Sequence, residues 1–225
     1  MNNDISVIVR VRNEERWIGH TIQSIIDHLP GSEIIVINNE SEDESIQIVK
    51  HFITDTNLRN NDLSRYADIK IFDIKDYTPG KSINLGVNKS SRKYNLIISS
   101  HCIINKINIE SLINDLQNYK SIFGKQIPVW NGKKIIPRYI WSHFKDNKVE
   151  NMYSELEKRY FHHNAIAIYE KDFLVENPFD ENLQSKEDRY WAENIINNNY
   201  KILYDPSLEV YHHYTANGNT WKGLA

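Results

Sequence analysis

Four short runs of β-branched residues, each separated from the next by helical spacing or a turn signal, constrain this chain more than any other feature. Ile5-Ser6-Val7-Ile8-Val9-Arg10-Val11 is the first and reads as a buried strand. Asn13 is placed to cap a following helix, with Glu14 and Glu15 in its first turn. Ile18, Ile22, Ile25, Ile26 and Leu29 then recur at helical spacing until Pro30-Gly31 stops the run. Ile34 to Ile37 gives a second strand that ends in the polar loop Asn38 to Asp43, and Ile46, Val49, Phe52 and Ile53 share one face of a second helix. Ile69 to Phe72 is a third strand, Pro79-Gly80 opens a short helix, and Leu96-Ile97-Ile98 is a fourth strand. Strands alternating with helices predict βαβ units and a mostly parallel central sheet flanked by helices. Such sheets place ligands beyond the carboxyl ends of their strands, here Arg10 to Glu14, Asn38 to Asp43 and Ser99 to Cys102.

The second half is less regular. Ile109, Leu112, Ile113 and Leu116 predict one more amphipathic helix. Residues 124–150 lose clear periodicity yet keep Trp130, Tyr139, Trp141 and Phe144, which suits a binding wall better than a linker. Ala165 to Tyr169 and Ile202 to Tyr204 read as strands around a helix that begins near Ser185, and Leu208 to Tyr211 as a late strand. With no internal repeat and no low-complexity linker, the 225 residues read as a single domain, with a boundary near residue 103 between two halves of one fold. A formal charge of −3 excludes a global basic field of the kind nucleic acid requires. The lone cysteine, Cys102, rules out an intramolecular disulfide and points to a reducing compartment. Met1-Asn2-Asn3-Asp4 lacks a basic leader region, and no apolar run approaches the roughly 20 residues that span a bilayer. The expectation is a cytoplasmic protein.

Chemistry concentrates in a few places. Glu187 and Asp188 sit where a helix opens after the loop Asn177 to Glu181, and a carboxylate held there can take a proton from a hydroxyl. Ser185-x-x-Asp188 equally fits a capping box, with Trp191, Ile195 and Ile196 as the buried face behind it. The two roles are compatible, because a helix N-terminus favours the ionised form that a base needs. His101 follows the fourth strand, and His212 follows the late strand and could return to the same rim; together they form a weak metal signal. His162-His163 is a second pair with no assigned role. Arg10, Arg12, Lys81 and Arg92 are the cations of the first half available to face a diphosphate, with Arg10 and Arg12 open to a second reading as sheet-edge residues with solvated heads.

These pieces, in this order, resemble glycosyltransferase family 2, the inverting enzymes with the GT-A (Rossmann-like) fold, over nearly the whole chain. Ile5 to Val11 followed by Arg12-Asn13-Glu14-Glu15 is similar to the family's opening strand and Asn-Glu turn. Ile35 to Ser45 is similar to its Val-Asp-Asp-Gly-Ser-x-Asp-x-Thr stretch, with Asn38-Asn39 in place of the acidic pair. Pro79-Gly80-Lys81-Ser82-Ile83-Asn84-Leu85-Gly86 looks like the segment before the metal motif. Ser99-Ser100-His101-Cys102 stands where Asp-x-Asp is usual and resembles a bacterial surface-polysaccharide branch, as does Gly124-Lys125-Gln126-Ile127-Pro128. Phe179-Asp180-Glu181 with Glu187-Asp188 and Trp191, and Val210-Tyr211-His212, are similar to the family's Glu-Asp motif and late histidine.

The resemblance implies roles. Asp188 would be the base and Glu187 would orient a hydroxyl or Asp188 itself. Arg10, Arg12, Glu14, Asn38, Asn39, Lys81, Asn84, Ser99 and Gln126 would surround a nucleotide-sugar, most simply a UDP- or dTDP-sugar. His101 and His212 would meet the diphosphate or its metal, with Mn²⁺ or Mg²⁺ as the candidates. A neutral histidine in place of two carboxylates weakens the case for Mg²⁺, which prefers oxygen, and favours Mn²⁺ or no metal. Residues 1–103 would form the nucleotide-sugar half and 104–225 the acceptor half. The implied enzyme moves a sugar onto a glycan or lipid-linked acceptor in bacterial surface-polysaccharide synthesis, working in the cytoplasm or at the inner membrane's surface. Two rivals stand beside it: a non-catalytic nucleotide- or glycan-binding module, and a sugar-1-phosphate nucleotidyltransferase. The second would be expected to carry a glycine-rich loop after the first strand, where Arg12-Asn13-Glu14-Glu15 has no glycine.

Overall fold

The computed structural model describes residues 4–55, 68–134, 141, 143–218 and 221, with the side chains of residues 54 and 55 left aside. The leader reading of Met1 to Asn3 and the wall residue Tyr139 lie outside the described residues. In chain order the elements are β1 (Ile5–Val11), α1 (Ile18–His28), β2 (Glu33–Asn38), α2 (Ser45–Asp55), β3 (Asp68–Asp73), α3 (Pro79–Lys89), β4 (Tyr94–Ser99), β5 (Cys102–Lys106) and α4 (Ile109–Asp115). There follow β6 (Ser121–Trp130), β7 (Lys133–Lys134), β8 (Val149–Glu150), β9 (Tyr153–Ser154), β10 (Arg159–Tyr160), β11 (Ile166–Glu170), α5 (Lys171–Glu176), α6 (Glu187–Asn197) and β12 (Ile202–His213).

The main sheet runs β3-β2-β1-β4-β11-β6-β12-β5. β3, β2, β1 and β4 are parallel, as the alternating pattern predicts, and β6 and β12 are parallel to each other. β11 is antiparallel to both β4 and β6. Strand alternation sorts side chains onto two faces. Val7 and Val9 face the layer containing Ile18, Ile22 and Ile25 of α1 and Leu112 of α4. Ile8 faces the other layer, with Ile83 and Val87 of α3, Phe173 of α5, and Trp191 and Ile195 of α6. The result is a three-layer α/β/α domain whose sheet crosses the boundary expected near residue 103, a position inside β5.

Several local expectations are corrected. Asn13 does not cap α1. It adopts a left-handed conformation (φ 51°), and its side-chain oxygen accepts from the Glu42 amide across the β2–α2 loop. α1 begins only at Ile18, so Glu14 and Glu15 occupy the preceding turn. Residues 124–130 are not irregular but form most of the long central strand β6; Gly124 and Pro128 mask the pattern. Ile202 to Tyr204 and Leu208 to Tyr211 belong to one strand, β12, whose register slips between Asp205 and Glu209, around Pro206. A β-carbon at Gly80 would overlap the Asp180 carbonyl, so α3 can approach the loop before α6 this closely only through glycine.

At the amino ends of the strands, Glu33 is fully buried. It accepts from Ser6 Oγ, from Lys70 Nζ at 2.7 Å, and from the Ser91 amide and hydroxyl at 2.8 and 3.0 Å. Burial raises the carboxyl, but the bonds from Lys70, Ser6 and Ser91 outweigh it and bring Glu33 down to about 2. A depressed carboxyl contributes stability above its unfolded value and loses it as pH falls toward the folded value. Glu33→Gln should therefore cost about 1–3 kcal/mol at neutral pH, and the gap from wild type should shrink below about pH 4, as read by denaturant unfolding at the two pH values.

Candidate active site

Strand direction decides which residues meet. The carboxyl ends of β1 and β4 deliver Arg10 to Glu14 and Ser99 to His101 to one rim. Because β11 runs the opposite way, the residues that lead into it, His163, Asn164 and Ala165, reach the same rim. β12 brings His212, and the amino end of α6 brings Lys186 to Arg189. Together they line a cavity of about 510 Å³. Of the sequence candidates, Arg10, Arg12, Glu14, Asn39, Ser99, His101, Glu187, Asp188 and His212 line it.

Asn38, Lys81, Asn84 and Gln126 stand outside the wall. Asn38 donates to Asp73 Oδ1 at 2.7 Å and accepts from the Ser41 amide. Lys81 reaches toward the Asp76 carbonyl at 3.5 Å. The Asn84 amide is bonded to the Phe179 carbonyl and amide and to Glu181, which pins the loop entering α6. Gln126 is buried behind His212, with Oε1 2.8 Å from the ring Nδ1.

The two acids are held differently. α6 has no side-chain cap; Lys186 takes the N-cap position in a left-handed conformation (φ 62°), so the expected capping box is not formed. Asp188 instead accepts from the Asn164 amide at 3.1 Å through Oδ2 and from the Arg189 amide at 2.9 Å through Oδ1. Each oxygen keeps a second lone pair. Burial pushes Asp188 up, but His163, Arg189, His162 and the Asn164 amide bring it below its ordinary value. His162 and His163 are themselves driven by burial to about 3 and about 4 and are neutral at physiological pH. The lasting stabilisation of the Asp188 anion therefore comes from Arg189 and the two amides. Arg189 is fully buried, paired with Glu157 and stacked over the Phe161 ring.

Glu187 goes the other way. Burial and the Asp188 charge raise it to about 7, offset only in part by Arg10, whose Nη1 lies 3.4 Å from Oε1. Adjacent buried acids thus divide into one ionised and one sharing its proton near neutrality, the separation that acid–base sites exploit.

Across the rim His101 Nε2 and His212 Nε2 lie 3.0 Å apart. Among the described residues, His101, Cys102 and His212 form a group of possible metal ligands within 4.8 Å. Burial drives the Cys102 thiol well above its ordinary value, so it stays protonated and is a poor ligand. Burial and His101 keep His212 neutral, the form that binds metals. Imidazole nitrogens bind first-row ions at about 2.1 Å, and two at right angles stand about 3.0 Å apart. The 3.0 Å separation therefore suits two ligands of one divalent ion as well as a hydrogen bond between the rings.

The family model described as "Glycosyl transferase family 2" matches residues 6–176. The chain belongs to this family. No curated protein sequence matches it. Among solved structures, S. aureus TarS 1-349 in complex with UDP-GlcNAc superposes with a TM-score of 0.70 at 21% identity, over 96% of this chain and 60% of that one. GalNAc-T7 with UDP, GalNAc and Mn²⁺ superposes with a TM-score of 0.73 at 16% identity, over 95% of this chain and 44% of that one. These likenesses show the GT-A fold, and the chain spans about 60% of the TarS fragment.

Several wall residues of this family member were not singled out from sequence. Tyr77, Asn164 and Gln184 join the cavity, as do Asn217 and Gly218. Asn164 contributes a backbone amide to Asp188, which any residue type would supply, so sequence carries little signal for it. Asn217 is bonded to the Arg12 and Asn13 carbonyls, and only the turn-like Asn217-Gly218 marks it. Arg10→Gln removes the cation that holds Glu187 down, so Glu187 should titrate at a higher pH in that variant while Asp188 stays ionised. Carboxyl ¹³C shifts followed across neutral pH measure both.

Proposed function

We propose that this protein is an inverting glycosyltransferase that uses a nucleotide-sugar, with Asp188 as the base. The observation that carries the reading is that the Asp188 carboxylate and the His101–His212 pair line one cavity. The UDP and UDP-GlcNAc of the TarS complexes, and the UDP of GalNAc-T7, support a UDP-sugar, and a dTDP-sugar meets the same diphosphate chemistry. Residues 1–103 supply the strand ends suited to the donor, and 104–225 supply α6 and the acceptor side. Asn39 and the turn from Arg10 to Glu14 would meet the nucleoside and diphosphate, while Asn38 and Asn84 hold the neighbouring loops.

The acceptor hydroxyl attacks the anomeric carbon from the face opposite the leaving diphosphate, and the new C–O bond forms as the bond to the diphosphate breaks. Asp188 takes the hydroxyl proton through a free lone pair, and the bonding pair leaves with the diphosphate. Glu187, raised toward neutrality, orients the hydroxyl or Asp188 and sets how far Arg10 is free to face the incoming anion. His101 and His212 would hold a divalent ion, Mn²⁺ in preference to Mg²⁺, which when bound would offset charge on the departing diphosphate. The resemblance of Ser99 to Cys102 and of Gly124 to Pro128 to the surface-polysaccharide branch supports a glycan or lipid-linked acceptor in bacterial surface-polysaccharide synthesis. Such an enzyme would work in the cytoplasm, at the membrane's surface where the acceptor is lipid-linked. Among the described residues no helix is long and apolar enough to cross a membrane.

Asp188→Asn keeps the shape and removes the base. Turnover of the active sugar nucleotide, by transfer or by hydrolysis, should fall about 10²–10⁴-fold, while UDP affinity by calorimetry stays within about threefold. A variant that retains more than a tenth of wild-type turnover would remove Asp188 from the mechanism. A wild-type protein that binds UDP but turns over no donor in a UDP-, dTDP-, GDP- and CMP-sugar panel would favour the non-catalytic module.

A further inference from the structure

The histidine pair is backed on both sides. Behind His101, Glu14 Oε1 lies 3.3 Å from Nδ1, in ion-pair range though not aligned as a linear hydrogen bond. The same oxygen accepts from Thr215 Oγ1 at 2.8 Å, and Glu14 is 4% exposed. Behind His212, Gln126 Oε1 lies 2.8 Å from Nδ1, and Gln126 is 2% exposed. A five-residue line, Thr215–Glu14–His101–His212–Gln126, thus runs through the cavity wall from the segment after β12 to the middle of β6.

We propose that Glu14 and Gln126 are positioning residues that set which ring nitrogen of His101 and of His212 carries the proton. An ionised carboxylate offers only lone pairs. A bare Nδ1 facing it at 3.3 Å would set lone pair against anion, so Glu14 holds the proton of His101 on Nδ1 and leaves Nε2 open. Gln126 is reversible, because its amide can turn either its oxygen or its nitrogen toward the ring. With the oxygen inward, His212 carries its proton on Nδ1, and both Nε2 lone pairs face one another at 3.0 Å, an arrangement that a cation between them relieves. With the amide reversed, His212 places its proton on Nε2 and donates it to His101, which satisfies the pair without a cation. One fixed acceptor and one reversible acceptor let the same two rings serve as ligands or as a closed hydrogen bond. The ligand half of this assignment rests on the metal reading above; the His101 half does not.

Ring ¹⁵N shifts of the metal-free protein test the fixed half directly. Wild type should show His101 protonated on Nδ1, and Glu14→Gln should move a substantial share of that proton to Nε2, because glutamine can donate as well as accept. Gln126→Leu should place the His212 proton on Nε2. Calorimetric Mn²⁺ titration with UDP present should show affinity about 10–100-fold weaker in both variants. Two independent substitutions guard against one failing to fold, which thermal unfolding reveals. His101 unchanged in Glu14→Gln, or Mn²⁺ affinity within twofold of wild type in both variants, would overturn the proposal. A wild-type protein that takes up no Mn²⁺ would overturn the ligand half and the metal reading together, while the metal-free His101 signals would still decide the role of Glu14.

Discussion

The backbone ladder between β4 and β11 is the constraint on which the cavity depends. Ile166 pairs with Ile98 and Glu170 with Tyr94, so β11 runs against the four parallel strands beside it. A parallel strand in that place would send His163 and Asn164 to the opposite edge of the sheet. Reversed, it puts the Asn164 amide 3.1 Å from Asp188, and that bond, with the Arg10–Glu187 contact, ties α6 to the rim where β1 and β4 end. The ladder buries apolar residues on both faces, Ile98 in one core layer and Ile97 in the other, so packing on two sides holds the strand pair in place.

On that frame the electrostatics are a matter of unequal compensation. Glu187 and Asp188 are neighbours in sequence and almost equally buried, yet their environments push them apart. Asp188 receives two backbone amides and the nearby Arg189 guanidinium, whereas Glu187 has one long contact to Arg10. Two adjacent anions cannot both be stabilised in so little water. Mutual repulsion then sharpens a difference that the hydrogen bonds begin.

The sequence exposed the frame more readily than the joints. β1 to β4 are legible because continuous β-branched runs between turn signals leave little choice, and the GT-A resemblance supplies their order. β5 and β6 were hidden, since a five-residue strand and a strand carrying Gly124 and Pro128 lack the usual pattern. Cap positions misled because Asn13 and Lys186 both adopt left-handed conformations, which propensity does not anticipate; Asn13 is held in its by bonds to the β2–α2 loop. In the cavity the charged and imidazole residues were visible by type. Gln126 and Glu14 were visible too, but not what they touch, because their partners lie 86 and 201 residues distant. Tyr77 had no signal beyond composition, and Asn217 only the turn-like Asn217-Gly218.

The bond from Thr215 to Glu14 joins the turn after the first strand to the segment that follows the last one. The cavity wall is therefore completed from the far end of the chain: His212, Asn217 and Gly218 close against residues that β1 delivers some two hundred positions earlier, so a chain cut short before them would lack part of the wall.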